Sequence, residues 1–154
     1  MKKIIIIGND HNGLEQKKYI KTVLKKKFSI IDIGNYEAKQ KTDYNDPAKQ
    51  LSRIIEDNPG SRGILLCGTG VGMSIVSNKN KKIRSVLAHS IIVAKKSRDH
   101  NDTNVLCLGT WINDKNQNLK IISAWINAKF GEGRHVRRVE KINDEKKYSI
   151  SLVN

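Results

Sequence analysis

The chain contains 154 residues, and its 29 Lys and Arg residues outnumber its 15 Asp and Glu residues, which gives a formal net charge of +14. This length suits one domain with a substantial core, and 38% hydrophobic residues exclude a disordered chain. The apolar runs, such as Ile4–Ile7, fall far short of the roughly 20 residues that a membrane helix needs. Lys2 and Lys3 precede that run without a small-residue cleavage site after it, so we expect a cytoplasmic protein without a signal peptide.

Five short apolar runs are predicted to be buried strands, in the order Ile4–Ile7, Ile30–Ile33, Gly63–Cys67, Ser85–Ala88 and Asn104–Leu108. Segments with apolar residues at helical spacing alternate with them. Because the strands are hydrophobic almost without interruption, both faces of their sheet must be covered, which favours a parallel sheet. The sequence therefore predicts an α/β fold, a three-layer doubly wound (Rossmann-like) domain with a five-stranded parallel sheet. Arg134–Lys147 is predicted to be helical, and Tyr148–Asn154 to form a loose or partner-packed tail.

Polar residues follow the first predicted strand, at the sheet edge where parallel α/β domains bind ligands. In Gly8–Gly13, Asp10 or Asn12 can serve simply as a helix N-cap. His11 between them can donate to a sugar hydroxyl or a phosphate.

A glycine-rich loop follows the third strand, with Gly68, Gly70 and Gly72 at alternate positions before a helix. Such spacing lets successive backbone N–H groups point at one anion, although it matches neither a Walker A loop nor a dinucleotide fingerprint. Cys67 precedes the loop, and the helix N-terminus predicts a lowered pKa for its thiol, which would make it a base or nucleophile. A buried structural cysteine is the alternative, and Cys107 inside the fifth strand fits that alternative better. Neither cysteine belongs to a metal motif, so we expect two free thiols and no metal.

Two further clusters carry basic residues. Arg98–Asp102 contains His100 near a predicted helix end, and Arg134 and Arg138 are spaced to share one helix face and clamp a phosphate. A structural histidine and a solvated basic helix are the simpler interpretations. Elsewhere lysines are spread along the whole chain and only 5% of residues are aromatic, which disfavours a nucleic-acid partner.

Taken together, these stretches resemble the type B ribose-5-phosphate isomerases and their galactose-6-phosphate isomerase relatives. The resemblance covers residues 1–142 and leaves 143–154 as a tail without assigned function. It rests on five stretches in order: Gly8–Gly13, Asp43-Tyr44, Cys67–Ser74, Arg98–Leu106 and Gly133–Val139. It implies an aldose–ketose isomerase without cofactor or metal, with no membrane association. It also implies a homodimer or tetramer whose active sites are shared between subunits, with the C-terminal helix packed on the partner.

The resemblance also implies roles for individual residues. Cys67 would transfer the proton, His100 would assist ring opening, and Asn101 would bind substrate. Arg134 and Arg138 would hold the phosphate. Asp10 and His11 would contact the sugar. The developing cis-enediolate would be bound by the glycine loop, in which Thr69 is a possible further donor: Gly68, Thr69, Gly70, Val71 and Gly72.

One position departs from the family. Trp111 stands where the family usually has an arginine that binds phosphate from the adjacent subunit, and an indole forms no charge-assisted hydrogen bond. Ribose 5-phosphate and ribulose 5-phosphate, of the non-oxidative pentose phosphate pathway, remain the expected substrates. Allose 6-phosphate or galactose 6-phosphate is the alternative. A more remote alternative is a non-catalytic protein that binds phosphosugars or nucleic acid.

Overall fold

The computed structural model describes residues 2–144. Its strands are β1 (Ile4–Asn9), β2 (Ser29–Asp32), β3 (Arg62–Cys67), β4 (Ser85–Leu87) and β5 (Val105–Gly109). Its helices are α1 (Leu14–Leu24), α2 (Asn45–Asp57), α3 (Val71–Ser77), α4 (Ile91–Asn101), α5 (Lys115–Asn127) and α6 (Arg134–Glu140). Short 3₁₀ turns cover His11–Gly13 and Lys141–Asn143. None of these helices is long and apolar enough to span a membrane.

The five strands form one parallel sheet in the order β2-β1-β3-β5-β4, which confirms the predicted fold. Alternate strand residues point to opposite faces, so the core has two layers. Ile5, Ile7 and Leu66 pack on one side with Trp125 of α5. On the other side, Leu65 and Cys67 pack with residues of α2 and α3.

All five predicted strands are present, with ends that differ by one or two residues. The predicted helix over Arg134–Lys147 is confirmed only as far as Glu140, after which the chain tightens into the 3₁₀ turn. Within this turn, Asn143 donates from Nδ2 to the carbonyl of Lys81 at 2.7 Å, a contact distant in sequence that the helical pattern does not reveal. The rest of that prediction and the tail at Tyr148–Asn154 lie outside the described residues.

A buried lysine fixes the loop that leaves β2 and leads to the carboxyl edge of the sheet. Lys17 is 1% exposed, and its Nζ lies 2.8 Å from Asp32 Oδ1. It also donates to the carbonyls of Ile33 at 2.9 Å and Asn35 at 3.1 Å. Burial lowers the pKa of Lys17, and hydrogen bonding to Asp32 opposes that effect. One side chain therefore ties two loop carbonyls to the carboxylate of Asp32, which also pairs with Lys21.

We expect Lys17→Met to lower the free energy of unfolding by about 2–4 kcal/mol, because the apolar stem is kept while two carbonyls lose their donor and Asp32 keeps only its pair with Lys21. Urea unfolding followed by circular dichroism measures the change. Lys18→Met is the matched control, because Lys18 pairs with Glu15 only on the surface and such pairs contribute less than about 1 kcal/mol. Equal losses in the two variants would contradict the structural role of Lys17.

Candidate active site

Cys67 is the last residue of β3, and its side chain is 4% exposed, between α3 and the carboxyl ends of β1 and β5. The backbone N–H of Gly70 donates to its Sγ at 3.0 Å. Burial raises the pKa of the Cys67 thiol, the Gly70 hydrogen bond lowers it, and the negative charge of Asp10 raises it further. The net shift is upward, so the prediction of a lowered pKa is wrong. Desolvation of the thiolate outweighs the donors at the helix N-terminus.

The glycine loop is built around that sulfur atom. Gly70 has a φ of 81°, in the left-handed region that favours glycine, and this conformation turns its N–H toward Cys67. The N–H of Val71 is directed to Thr69 Oγ1 at 3.3 Å. At least one of the amides expected to face a ligand therefore faces the thiol instead, where it stabilises the thiolate form.

Gly68 and Gly72 have no Cβ for a steric reason, since an aromatic ring lies directly on each of them. A Cβ at Gly68 would lie 2.8 Å from the indole of Trp111, and a Cβ at Gly72 would lie 2.6 Å from the ring of Tyr44. The N–H of Trp111 also donates to the carbonyl of Gly68 at 2.9 Å. The indole of Trp111 is 70% exposed beside the loop.

Asp10 and His11 lie at the same edge, after β1. Asp10 is an N-cap, and its Oδ1 accepts from the N–H groups of Asn12 at 2.8 Å and Gly13 at 3.2 Å. His11 Nδ1 lies 3.1 Å from the carbonyl of Thr42, and its Nε2 lies 3.2 Å from the amide nitrogen of Asn12. The N–H of Thr42 is also directed to Nδ1 at 3.3 Å, so the backbone of Thr42 holds this edge of the ring in either tautomer. The structure thus brings Asp10, His11, Cys67 and the glycine loop together.

The remaining predicted site residues lie at the other end of the sheet. His100 and Asn101 end α4, and the chain then turns through Asp102 into the first residue of β5. Arg134 and Arg138 are exposed on α6, which packs against α4. The predicted helical spacing of the two arginines is confirmed.

The predicted site is therefore divided into two groups of residues. We call Asp10, His11 and Cys67–Gly72 the carboxyl-edge group, and His100, Asn101, Arg134 and Arg138 the amino-edge group. Cys67 pairs with the last residue of β5, Gly109, whereas His100 lies beside the start of that strand. Five residues at about 3.3 Å each separate the two ends by roughly 15 Å. One chain therefore does not bring His100 to Cys67.

Two side chains next to these groups were not predicted as site residues. Tyr44 covers Gly72, and His135 stacks on His100 with ring centroids 4.4 Å apart. Both lie within stretches that carry the family resemblance, but neither has a spacing that reveals its contact. In the described part of the chain, no group of three or more His, Cys, Asp or Glu side chains is placed to hold a metal ion.

Comparison with known proteins places the chain in a family. The profile described as Ribose/Galactose Isomerase matches residues 5–142. The probable ribose-5-phosphate isomerase B of Mycoplasma pneumoniae is 42% identical over 139 residues, which are 90% of this chain and 91% of that protein.

Solved structures agree with this assignment. Ribose-5-phosphate isomerase B of Clostridium thermocellum has a TM-score of 0.88 and 37% identity, and the match covers 92% of this chain and 95% of that one. The Mycoplasma genitalium enzyme, solved with bound ribulose-5-phosphate, has a TM-score of 0.87 and 36% identity over the same shares. The chain therefore belongs to the ribose/galactose isomerase family.

Proposed function

We propose that the protein interconverts ribose 5-phosphate and ribulose 5-phosphate. The observation that carries this proposal is the buried thiol of Cys67, which receives a backbone N–H at a ligand-binding edge of the sheet. Family membership and the relatives named for this reaction support it. Cys67 and Cys107 are both free, which suits a reducing, cytoplasmic location.

The chemistry requires one base and donors for one developing oxyanion. The Cys67 thiolate removes the proton from C2 of the open-chain aldose, and the electron pair forms a cis-enediolate. The same thiol returns the proton to C1, while the hydroxyl proton of O2 passes to O1. Atoms and electrons balance without an oxidant, reductant or cofactor. Thr69 and the glycine loop, Gly68–Gly72, would stabilise the oxyanion.

The amino-edge group would supply the remaining functions. His100 would move a proton between O1 and the ring oxygen as the furanose opens, and Asn101 would bind the sugar. Arg134 and Arg138, one turn apart on α6, would bind the phosphate, a group that does not react and so contributes orientation. Asp10 and His11 would contact the sugar from the carboxyl edge.

A second copy of the chain brings the two groups together. α4 runs the length of the sheet from Ile91 at the carboxyl edge to Asn101 at the amino edge. If two copies pack with their α4 helices antiparallel around a two-fold axis, the amino-edge group of each lies against the carboxyl-edge group of the other. The first turn of α4 and neighbouring elements carry exposed apolar residues that such packing would bury: Val71, Ile75, Ile91, Ile92, Val93 and Ile112. A homodimer with two shared sites is the assembly that we propose.

We expect Cys67→Ala to lower kcat for ribose 5-phosphate by at least about 10³-fold, because the substitution removes the group that takes the C2 proton. A coupled assay for ribulose 5-phosphate measures the change. Cys107→Ala is the matched control, because its thiol is fully buried inside β5 and should leave kcat unchanged. Higher kcat/KM on allose 6-phosphate or galactose 6-phosphate would assign the alternative substrate, and full activity of Cys67→Ala would remove Cys67 from the mechanism.

The raised pKa of Cys67 predicts that its alkylation by iodoacetamide is slow at neutral pH. The reactive thiolate forms only as pH rises through the pKa, so the rate should increase about tenfold per pH unit and reach half its maximum above pH 9. The Cys107→Ala variant isolates this thiol, and burial raises the pKa of Cys107 to about 12 in any case. A midpoint near pH 7 would contradict the dominance of burial.

Shared sites predict that two inactive variants complement each other. A refolded equimolar mixture of Cys67→Ala and His100→Asn should regain about a quarter of wild-type activity, because half of the dimers are mixed and each mixed dimer has one intact site of two. Cys67→Ala mixed with His11→Ala is the matched control and should regain nothing, since both changes fall in the carboxyl-edge group. Recovery in neither mixture would contradict sites shared between copies.

A further inference from the structure

The imidazole of His135 lies flat against that of His100. Their ring centroids are 4.4 Å apart and the ring planes differ by 11°. His135 is 9% exposed and is the buried residue of α6, whereas Arg134 and Arg138 of the same helix are exposed. The contact therefore joins α6 to the last turn of α4 and touches the proposed ring-opening residue directly.

His135 contributes the face of its ring rather than a hydrogen bond or a charge. Within residues 2–144 its Nδ1 is buried without a hydrogen-bond partner. Burial lowers the pKa of His135, and the nearby charges of His100, Arg134 and Arg138 lower it further, while Asp99 opposes them. These effects favour the neutral form of the ring, so His135 meets His100 through its flat face.

The edge of His100 is held separately. Its Nε2 lies 3.5 Å from Asp99 Oδ2, and Asp99 in turn pairs with Lys96 at 3.1 Å. The N–H of Gly131 donates to the carbonyl of Asp99 at 2.8 Å, and a Cβ at Gly131 would lie 2.5 Å from Asp99 Oδ1. One face of His100 is thus covered by His135, and the segment before α6, at Gly131, packs against Asp99. The His100 side chain remains 38% exposed, so a ligand can still reach it.

We propose that His135 is a positioning residue that fixes the ring plane of His100 by aromatic stacking, and so aims His100 at the sugar ring. The proposal rests on the proposed function, in which His100 opens the furanose. Its physical basis is that imidazole rings at this distance and angle are offset-stacked, while proton transfer depends on alignment of donor and acceptor within fractions of an ångström.

Two substitutions separate stacking from simple packing. His135→Leu fills the space and keeps α6 on α4, but has no flat ring, so kcat should fall about tenfold to a hundredfold while KM changes less than about threefold. His135→Phe retains a planar ring and should keep kcat within about threefold of wild type. Val136→Ala, an exposed change on the same helix, is the control and should match wild type in both constants. His135→Met replaces the leucine variant if the latter does not fold.

Each other outcome overturns the proposal. Wild-type kcat in both His135→Leu and His135→Phe would show that the position only fills space. Equal loss of kcat in both variants, with a higher KM, would show that His135 itself contacts the substrate.

A measurement without turnover keeps this test distinct from the proposed function. The Hε1 resonance of His100 should carry an upfield ring-current shift in wild type and in His135→Phe, and lose it in His135→Leu. Absence of isomerase activity with this pattern intact would reject the proposed function but retain the stack. Absence of the shift in wild type would reject the stack.

Discussion

The proposed chemistry depends on the balance of two opposing effects at the Cys67 sulfur, burial and hydrogen bonding. Burial against α2 and α3 disfavours the thiolate, and the Gly70 N–H favours it. Neither effect comes from a charged partner within the chain, since the nearby Asp10 carboxylate opposes ionisation. A thiol held in this way reacts slowly at neutral pH, because only a small part of it is ionised.

Parallel topology explains why one chain separates the two groups of site residues. A parallel strand delivers its last residue to one edge of the sheet and receives its chain from a helix at the other edge. Cys67 and His100 lie at these two edges, and side-chain motion does not close a gap of about 15 Å. Stacking of His135 on His100 and packing of α6 on α4 bring the residues of the amino-edge group together within one chain.

Sequence patterns identified the strands and their parallel arrangement because buried strands leave a local signature of apolar runs and turns. The helical spacing of Arg134 and Arg138 could also be predicted, because it depends only on a short stretch of sequence. The pKa of Cys67 was predicted in the wrong direction because part of its burial comes from elements distant in sequence, α2 and β5, whereas the helix N-terminus that suggested a low pKa is adjacent. The contacts of Tyr44 with Gly72 and of His135 with His100 join segments about 30 residues apart, so no spacing rule could reveal them.

The glycine loop illustrates why a motif does not establish its own chemistry. Gly68 and Gly72 are required by the rings of Trp111 and Tyr44, and this packing alone would account for them without any bound anion. Gly70 differs, because its left-handed conformation places an N–H on a sulfur atom instead of filling space. A domain selected only for stability gains little from a buried, hydrogen-bonded thiol that an alanine could replace with modest cost. The feature that points to catalysis is therefore the direction of one amide rather than the count of glycines.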